Sequence, residues 1–421
     1  MTPSDVPLWL ILGWLFIFGT VIGSFLNVCI YRIPQHEHLW AQLSGLSNPP
    51  SSCPFCKKRI LTRDNIPILG WLMLWGRCRF CRHSIPPRYA LIEFFNGLLW
   101  VVLYIAIVPA GMTAKISDSC LWSQLSPLAA NTDPMQFSFM LHAQYFYFLI
   151  LAEALLVATF IDFDLQLIPD GSTVPAMILG VLGAVVIGNL QPWPLWFQST
   201  SMLNEFAPLW SPAWQRQYPR LHSLAASLAG LVVGGGIIWI LRVVGHWIWK
   251  REVMGFGDVI LLAMIGSFLG WQATIMIFFL APCCGLAGAF LSLIINRRLS
   301  LEIPYGPYLS LAAMLVLLFW RPFFSQFERV FALGPVLVAM AVPTMLLMAA
   351  FLKLTRMIKI ALGFSDEDNY YDEEWRSSDQ MAFYANKDYE SGKADLKPPE
   401  WPGRAAGQGR QFVDQWRNGG R

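Results

Sequence analysis

Long apolar runs, broken by short polar stretches, dominate the chain as far as residue 352. A helix needs about 20 apolar residues to cross the hydrocarbon core of a bilayer. Runs of this kind predict spans over 8–30, 90–110, 141–161, 174–192, 221–248, 258–270, 273–295, 305–320 and 330–352. The sixth is short, which suits a helix that starts below the membrane surface. The eighth is also short, and Pro335 and Pro343 interrupt the ninth. The pattern therefore predicts an all-α polytopic membrane protein with eight or nine transmembrane helices, interrupted after the first by a polar insert. The N-terminus lacks a basic segment and a small-residue cleavage site, so the first run reads as a retained span rather than a removed signal peptide.

Charge orients this pattern. The segment from Arg32 to Arg88 carries nine Lys/Arg, whereas the loop 111–140 carries only Lys115. Cytoplasmic loops hold the excess of Lys/Arg, so the insert is cytoplasmic and the N-terminus lies outside. Alternation then brings Asp162, the stretch 250–258 and Arg297-Arg298 to the cytoplasmic side. The outer loops 111–140 and 193–220 are long and rich in Trp, Pro and Ser. Residues 353–421 form a last segment with acidic clusters (Asp366-Glu367-Asp368, Asp372-Glu373-Glu374) that bury little apolar surface and are expected to be disordered.

Composition agrees: the chain is 55% hydrophobic and only 14% charged, which excludes an ordinary soluble domain. A net charge of +3 gives no footprint for nucleic acid. No Walker-type phosphate loop is present, so no nucleotide motor is expected. The lipid bilayer is the partner that composition implies.

Candidate chemistry is concentrated in three places. Gly255-Phe256-Gly257-Asp258 opens the sixth run, and Asp162 closes the third. An ionisable side chain at a membrane span is costly and points to function. Two acids on one face could act as an aspartyl hydrolase pair, one activating water and the other protonating. Gly255 and Gly257 would form the active-site loop, allowing positive φ and close approach of another backbone. Asp258 would sit at the N-cap or first turn of its helix, where the dipole favours its anion; Asp162, at a helix C-terminus, would be the easier to keep protonated. The competing reading of Asp258 is a simple helix cap. Asp164 competes with Asp162 but reads as a solvated loop acid, and Asp170 as a turn or cap residue. Glu153, in mid-span, should face the bundle interior; Glu93 reads as a solvated acid at the interface, and His142, His222 and His246 as interfacial.

The third place is the insert. Cys53-Pro-Phe-Cys56 and Cys78-Arg-Phe-Cys81 are separated by 21 residues, Lys57 to Arg77. Each pair can place two thiolates on one metal, and four complete a closed tetrahedral zinc site. A closed site has no position for water, so the zinc would be structural. A redox pair and an empty thiol cluster are the alternatives. Cys29, Cys120, Cys283 and Cys284 read as packing residues.

Together these residues resemble the type IV prepilin peptidase family, bacterial GxGD membrane aspartyl proteases. The resemblance rests on Gly23-Ser24-Phe25-Leu26-Asn27-Val28 with Ile30-Tyr31-Arg32-Ile33-Pro34, the two CxxC pairs with Asn65-Ile66-Pro67 between them, Arg88 to Glu93, Asp162 with Ile168-Pro169-Asp170, Met254 to Asp258, and Pro304-Tyr305-Gly306-Pro307. It covers roughly 8–320. It implies that Asp162 and Asp258 are the catalytic pair, that Cys53, Cys56, Cys78 and Cys81 hold zinc, and that a prepilin or type II secretion pseudopilin is the substrate, cut at the cytoplasmic face of the inner membrane. It also implies methylation of the new N-terminus with S-adenosylmethionine, for which the chain offers no separate glycine-rich domain and no identified binding residues. The implied organisation is a first span at 1–31, a cytoplasmic zinc-ribbon-like insert at 32–89, a catalytic bundle at 90–352 and a tail at 353–421. One departure is Ile260, where the family usually has Lys. Competing functions are a presenilin-like intramembrane protease, expected to lack the zinc insert, and a proton-coupled transporter using the membrane acids, for which inverted repeats are absent.

Overall fold

The computed structural model describes residues 7–108, 134–191, 217–249, 254–296 and 304–319, apart from 37, 47–49, 54, 189 and 192–194, together with 195 and scattered positions between 323 and 358. The predicted ninth span, both outer loops over most of their length, Cys120, Arg297-Arg298 and the tail lie outside the described residues or only touch them.

The helices are α1 (Leu8–Arg32), α2 (Leu39–Ser44), α3 (Leu69–Met73), α4 (Arg88–Ile107), α5 (Pro134–Leu165), α6 (Asp170–Val186), α7 (Pro219–Trp249), α8 (Phe256–Leu269), α9 (Trp271–Asn296) and α10 (Tyr305–Leu318). Short 3₁₀ turns at Ile33–Gln35 and Thr62–Asn65 complete the elements. Among the described residues, five helices are long and apolar enough to cross a membrane: α1, α4, α5, α7 and α9. Three apolar helices, α6, α8 and α10, are shorter. The chain is thus a mostly helical, multi-pass membrane protein, with helices and no strands of a sheet among the described residues, and each helix named above overlaps one of the first eight predicted spans or lies in the insert.

The helices form two compact units, one ending at Pro175 and the other starting at Ala176. In the first, α1, α4 and α5 pack together. Their shared core is Leu26, Cys29, Ile30 and Ile33 of α1 and its exit, Ile92 of α4, and Val157, Ile161 and Leu165 of α5. Cys29 is a packing residue here, as expected. In the second unit α8 is the central helix, packed on α7, α9 and α10. Every residue from Leu261 to Leu269 is buried. A helix apolar on all sides is a buried helix, which explains its short run. The α7–α8 contact is backbone to backbone: a Cβ on Gly230 would collide with the Gly266 carbonyl oxygen, and one on Gly266 with that of Gly230. Small residues permit such approach between membrane helices.

Candidate active site and metal centre

Asp162 lies in the last turn of α5, three residues before Leu165. It is 6% exposed, at the edge of the first unit's apolar core. Asp164, read from sequence as solvated, is buried instead at 4% exposure. Its carboxylate receives two hydrogen bonds from Arg88, Nη1 to Oδ1 at 2.7 Å and Nη2 to Oδ2 at 2.8 Å. The same guanidinium lies 5.0 Å from the Phe160 ring centroid. This bidentate pair ties the first residue of α4 to the last turn of α5, two positions from Asp162. Burial is tolerable because both charges are paired and the geometry is a fork on a carboxylate. Asp170 is exposed and opens α6, consistent with a helix-start role.

Asp258 lies in the first turn of α8, the third helical residue after the N-cap Gly255. The expectation of positive φ fails at Gly255: its φ is −65° and ψ 147°, extended backbone open to any residue. Among the described residues the positive-φ glycines are Gly76, Gly188 and Gly270. A Cβ at Gly255 would stand 3.6 Å from Asp258 Oδ2, an ordinary van der Waals contact, so space there does not demand glycine either. Tyr305, the first residue of α10, donates its hydroxyl to the Phe278 carbonyl of α9 at 3.5 Å. The motif around Tyr305 was visible in the sequence, but its hydrogen bond to α9 was not. Ile260 does not face Asp258. Residues two apart on a helix point to different sides, so a Lys at 260 would not simply pair with that carboxylate. Asp162 belongs to the first unit and Asp258 to the second.

Other membrane acids are held by specific partners. Glu153 Oε1 accepts from Asn96 Nδ2 at 3.0 Å and Trp100 Nε1 at 2.5 Å; the Asn96 amide also donates to the Gly19 carbonyl. Glu153 thus faces the interior of its bundle and links α1, α4 and α5. Glu93, expected to be solvated, is 9% exposed and accepts the Ile68 N–H at 2.7 Å. His222 is buried at 3% rather than interfacial, and accepts the Leu195 N–H. His246 is exposed.

In the insert, two equivalent loops carry the cysteines. Cys53 N–H donates to the Lys58 carbonyl and Lys57 N–H to the Cys53 carbonyl; Cys78 N–H donates to His83 and Arg82 N–H to Cys78. Lys57 and Arg82, each following the second cysteine of its pair, both have positive φ, at 56° and 59°. The bridges Ser52–Arg59 and Arg77–Ser84 close both loops in the same register. The four Sγ atoms lie within 4.8 Å of one another, and Cys53 and Cys81 are 3.8 Å apart. Tetrahedral zinc with Zn–S of about 2.3 Å requires sulfurs about 3.8 Å apart, so the donor set fits a metal ion. Burial pushes Cys53 up to about 12. Burial also opposes ionisation of Cys78, but hydrogen bonds from the Cys81 and Phe80 N–H groups, with Cys81 and Cys53 side chains, pull it down to about 7. Beside the cluster, Arg79 donates to Asp64 at 2.7 and 2.5 Å, and these bonds hold the carboxyl below its usual range. Next to the insert is a cavity of about 680 Å³, lined by Asn27, Tyr31, Arg32, Trp71, His83 and Glu93 among others.

A multi-pass helical bundle with an acid at the opening of one short helix, another at the close of a long one, and an insert whose four cysteines could hold a metal ion defines a class of membrane protein. The chain belongs to the type IV leader peptidase family. The model of that family matches residues 149–291, and the bacterial peptidase A24 N-terminal domain matches 17–107. The first match contains both Asp162 and Asp258, and the second all four clustered cysteines. The chain is similar to the prepilin leader peptidase/N-methyltransferase of Aeromonas hydrophila, at 31% identity over 74% of this chain and 91% of the relative. It is also similar to that of Aeromonas salmonicida (strain A449), at 30% over the same shares. A third relative is the type 4 prepilin-like proteins leader peptide-processing enzyme of Escherichia coli O78:H11, at 28% over 74% of this chain and 93% of the relative. No solved structure matches. Family membership decides against the intramembrane-protease and transporter alternatives.

Proposed function

We propose that this protein is an aspartic endopeptidase that removes the leader from type IV prepilins or type II secretion pseudopilins at the cytoplasmic face of the bacterial inner membrane. The observation that carries this reading is the family match over 149–291, with an acid near each end of the paired runs, Asp162 and Asp258. The N-terminus outside and the insert and both acids inside follow from the Lys/Arg asymmetry of the loops. In this reading 1–31 is the first span, 32–89 the cytoplasmic insert, 90–352 the catalytic bundle and 353–421 a tail.

The chemistry needs one carboxylate and one carboxylic acid. Asp258, at the positive end of the α8 dipole, is written as the base, and Asp162 as the acid. Asp258 takes a proton from water as its oxygen attacks the scissile carbonyl carbon, while Asp162 gives its proton to the carbonyl oxygen. The tetrahedral gem-diol then collapses. The proton on Asp258 passes to the leaving nitrogen, the C–N bond breaks, and a hydroxyl proton returns to Asp162. The products are the leader's carboxylate end and a pilin with a free amine.

Zinc at Cys53, Cys56, Cys78 and Cys81 has a folding role: four thiolates fill the coordination sphere, and the cluster closes two loops of an insert with little core of its own. Methylation of the new N-terminus fits the names of the relatives. S-adenosylmethionine, when bound, supplies an electrophilic methyl group. The cavity beside the insert has the size of a small-molecule site, and the buried Asn27 Oδ1 within it has no donor. Asn27 would accept from such a ligand, Trp71 and Tyr31 would offer aromatic faces, and Glu93 would meet positive charge.

Co-expression with a prepilin tests the peptidase: a leader-sized mobility shift is expected, and an intact prepilin beside abundant enzyme would contradict it. Transfer of labelled methyl to the cleaved product tests the second activity.

A further inference from the structure

The insert carries an apolar surface that the peptidase chemistry does not use. Helix α3 carries no charged side chain, and its outward face is apolar: Leu69, Leu72 and Met73 are 56%, 52% and 64% exposed, and Trp75 just beyond is 88% exposed. Its inward face is committed. Gly70 packs on the Asp64 backbone, and Trp71 Nε1 donates to the Ile85 carbonyl at 2.9 Å. A soluble zinc loop would present the opposite arrangement, since an exposed apolar patch with an aromatic marks a contact surface.

The depth of this patch is fixed by α4. That helix has 20 residues, about 30 Å at 1.5 Å per residue, so the whole of it is needed to cross the hydrocarbon core. Ile68, immediately before α3, donates its N–H to Glu93 at 2.7 Å. Glu93 is five residues into α4, about 7.5 Å along its axis. The hydrogen bond therefore holds α3 beside the first turns of a span, where headgroups meet acyl chains. Charge points the same way: Arg32–Arg88 has nine Lys/Arg against two acids, Glu37 and Asp64. Arg63, Arg77 and Arg82 of the same insert are exposed.

We propose that α3 is an interfacial anchor, with Leu69, Leu72, Met73 and Trp75 inserted at the headgroup–acyl boundary of an anionic leaflet and exposed arginines of the insert on its phosphates. Tryptophan and basic residues are the side chains that favour this zone. The anchor seats the cysteine cluster and the adjoining cavity at the membrane surface. It rests on the chain spanning a membrane and not on its peptidase activity, so the two can fail separately.

The test uses the full chain in nanodiscs of phosphatidylglycerol and phosphatidylethanolamine. Photo-crosslinking from Leu72→p-benzoylphenylalanine and Trp75→p-benzoylphenylalanine should give covalent phospholipid adducts, identified by mass spectrometry. Adducts only to protein, whether another segment or a second copy, would overturn the proposal, as would no adduct. In the unsubstituted protein, Met73 should be oxidised by hydroxyl radicals about tenfold more slowly than in the isolated peptide, because oxidation follows exposure to water. Equal rates would overturn the proposal. Discs of phosphatidylcholine alone should reduce the adduct yield severalfold; an unchanged yield would remove the role of the arginines.

Discussion

Asp164 and Arg88 illustrate how far single residues can be read from their neighbours in sequence. Each was visible as a charge beside an apolar run, yet 75 positions lie between them (164 − 88 − 1), and nothing local indicates that one neutralises the other. The pair is only partly open to solvent, with side-chain exposures of 20% and 5%. Removing one partner strands a buried charge, which costs about 3–5 kcal/mol. Arg88→Ala should therefore lower the thermal midpoint and membrane abundance markedly, and Arg88→Met with Asp164→Leu should recover much of the loss. Asp164→Asn should lose stability more than cleavage per folded molecule, measured on purified protein. Near Asp258, Ile260→Lys tests the face argument: the residues point to different sides of α8, so the pH–rate profile should keep its acidic limb. A displaced limb would mean that the long lysine reaches the carboxylate.

At the scale of elements, apolar periodicity and span length carried the prediction of α1, α4, α5, α7, α8 and α9 closely, because a bilayer permits few alternatives to a helix. What the pattern did not contain was contact. The burial of Glu93 depends on Ile68 from the insert, and the glycine contact between α7 and α8 depends on two runs meeting. Gly266→Val would force these backbones apart; overpacking costs typically about 1–3 kcal/mol. It should reduce cleavage by moving the helix that carries Asp258, even where membrane abundance is retained. Undiminished cleavage would show that the α7–α8 contact does not position Asp258. The paired CxxC loops were the most readable element, since spacing alone implied a four-thiolate site. Metal analysis should give about one zinc per chain, and Cys53→Ser or Cys78→Ser should lower abundance before altering turnover per folded molecule. Thiolates must be free of protons to bind metal. As pH falls, protons compete and zinc should dissociate; as it rises, retention should improve. Zinc content measured across that range, beside tryptic resistance of the insert, checks both.

For the whole molecule, the two units divide the proposed machinery: Asp162 ends a helix of the first, and Asp258 opens a helix of the second. The motifs allowed this pairing to be inferred, whereas the interior placement of each acid required tertiary packing. The central claim is that these two carboxyls perform leader cleavage. Its most direct test is a time course with purified enzyme and prepilin in nanodiscs, comparing the parent with Asp162→Asn and Asp258→Asn. An amide cannot exchange protons as a carboxyl does, and both residues act in every turnover. The account predicts that each variant folds and inserts normally, retains zinc, and cuts no detectable prepilin. Cleavage at the parental rate by either variant would contradict it.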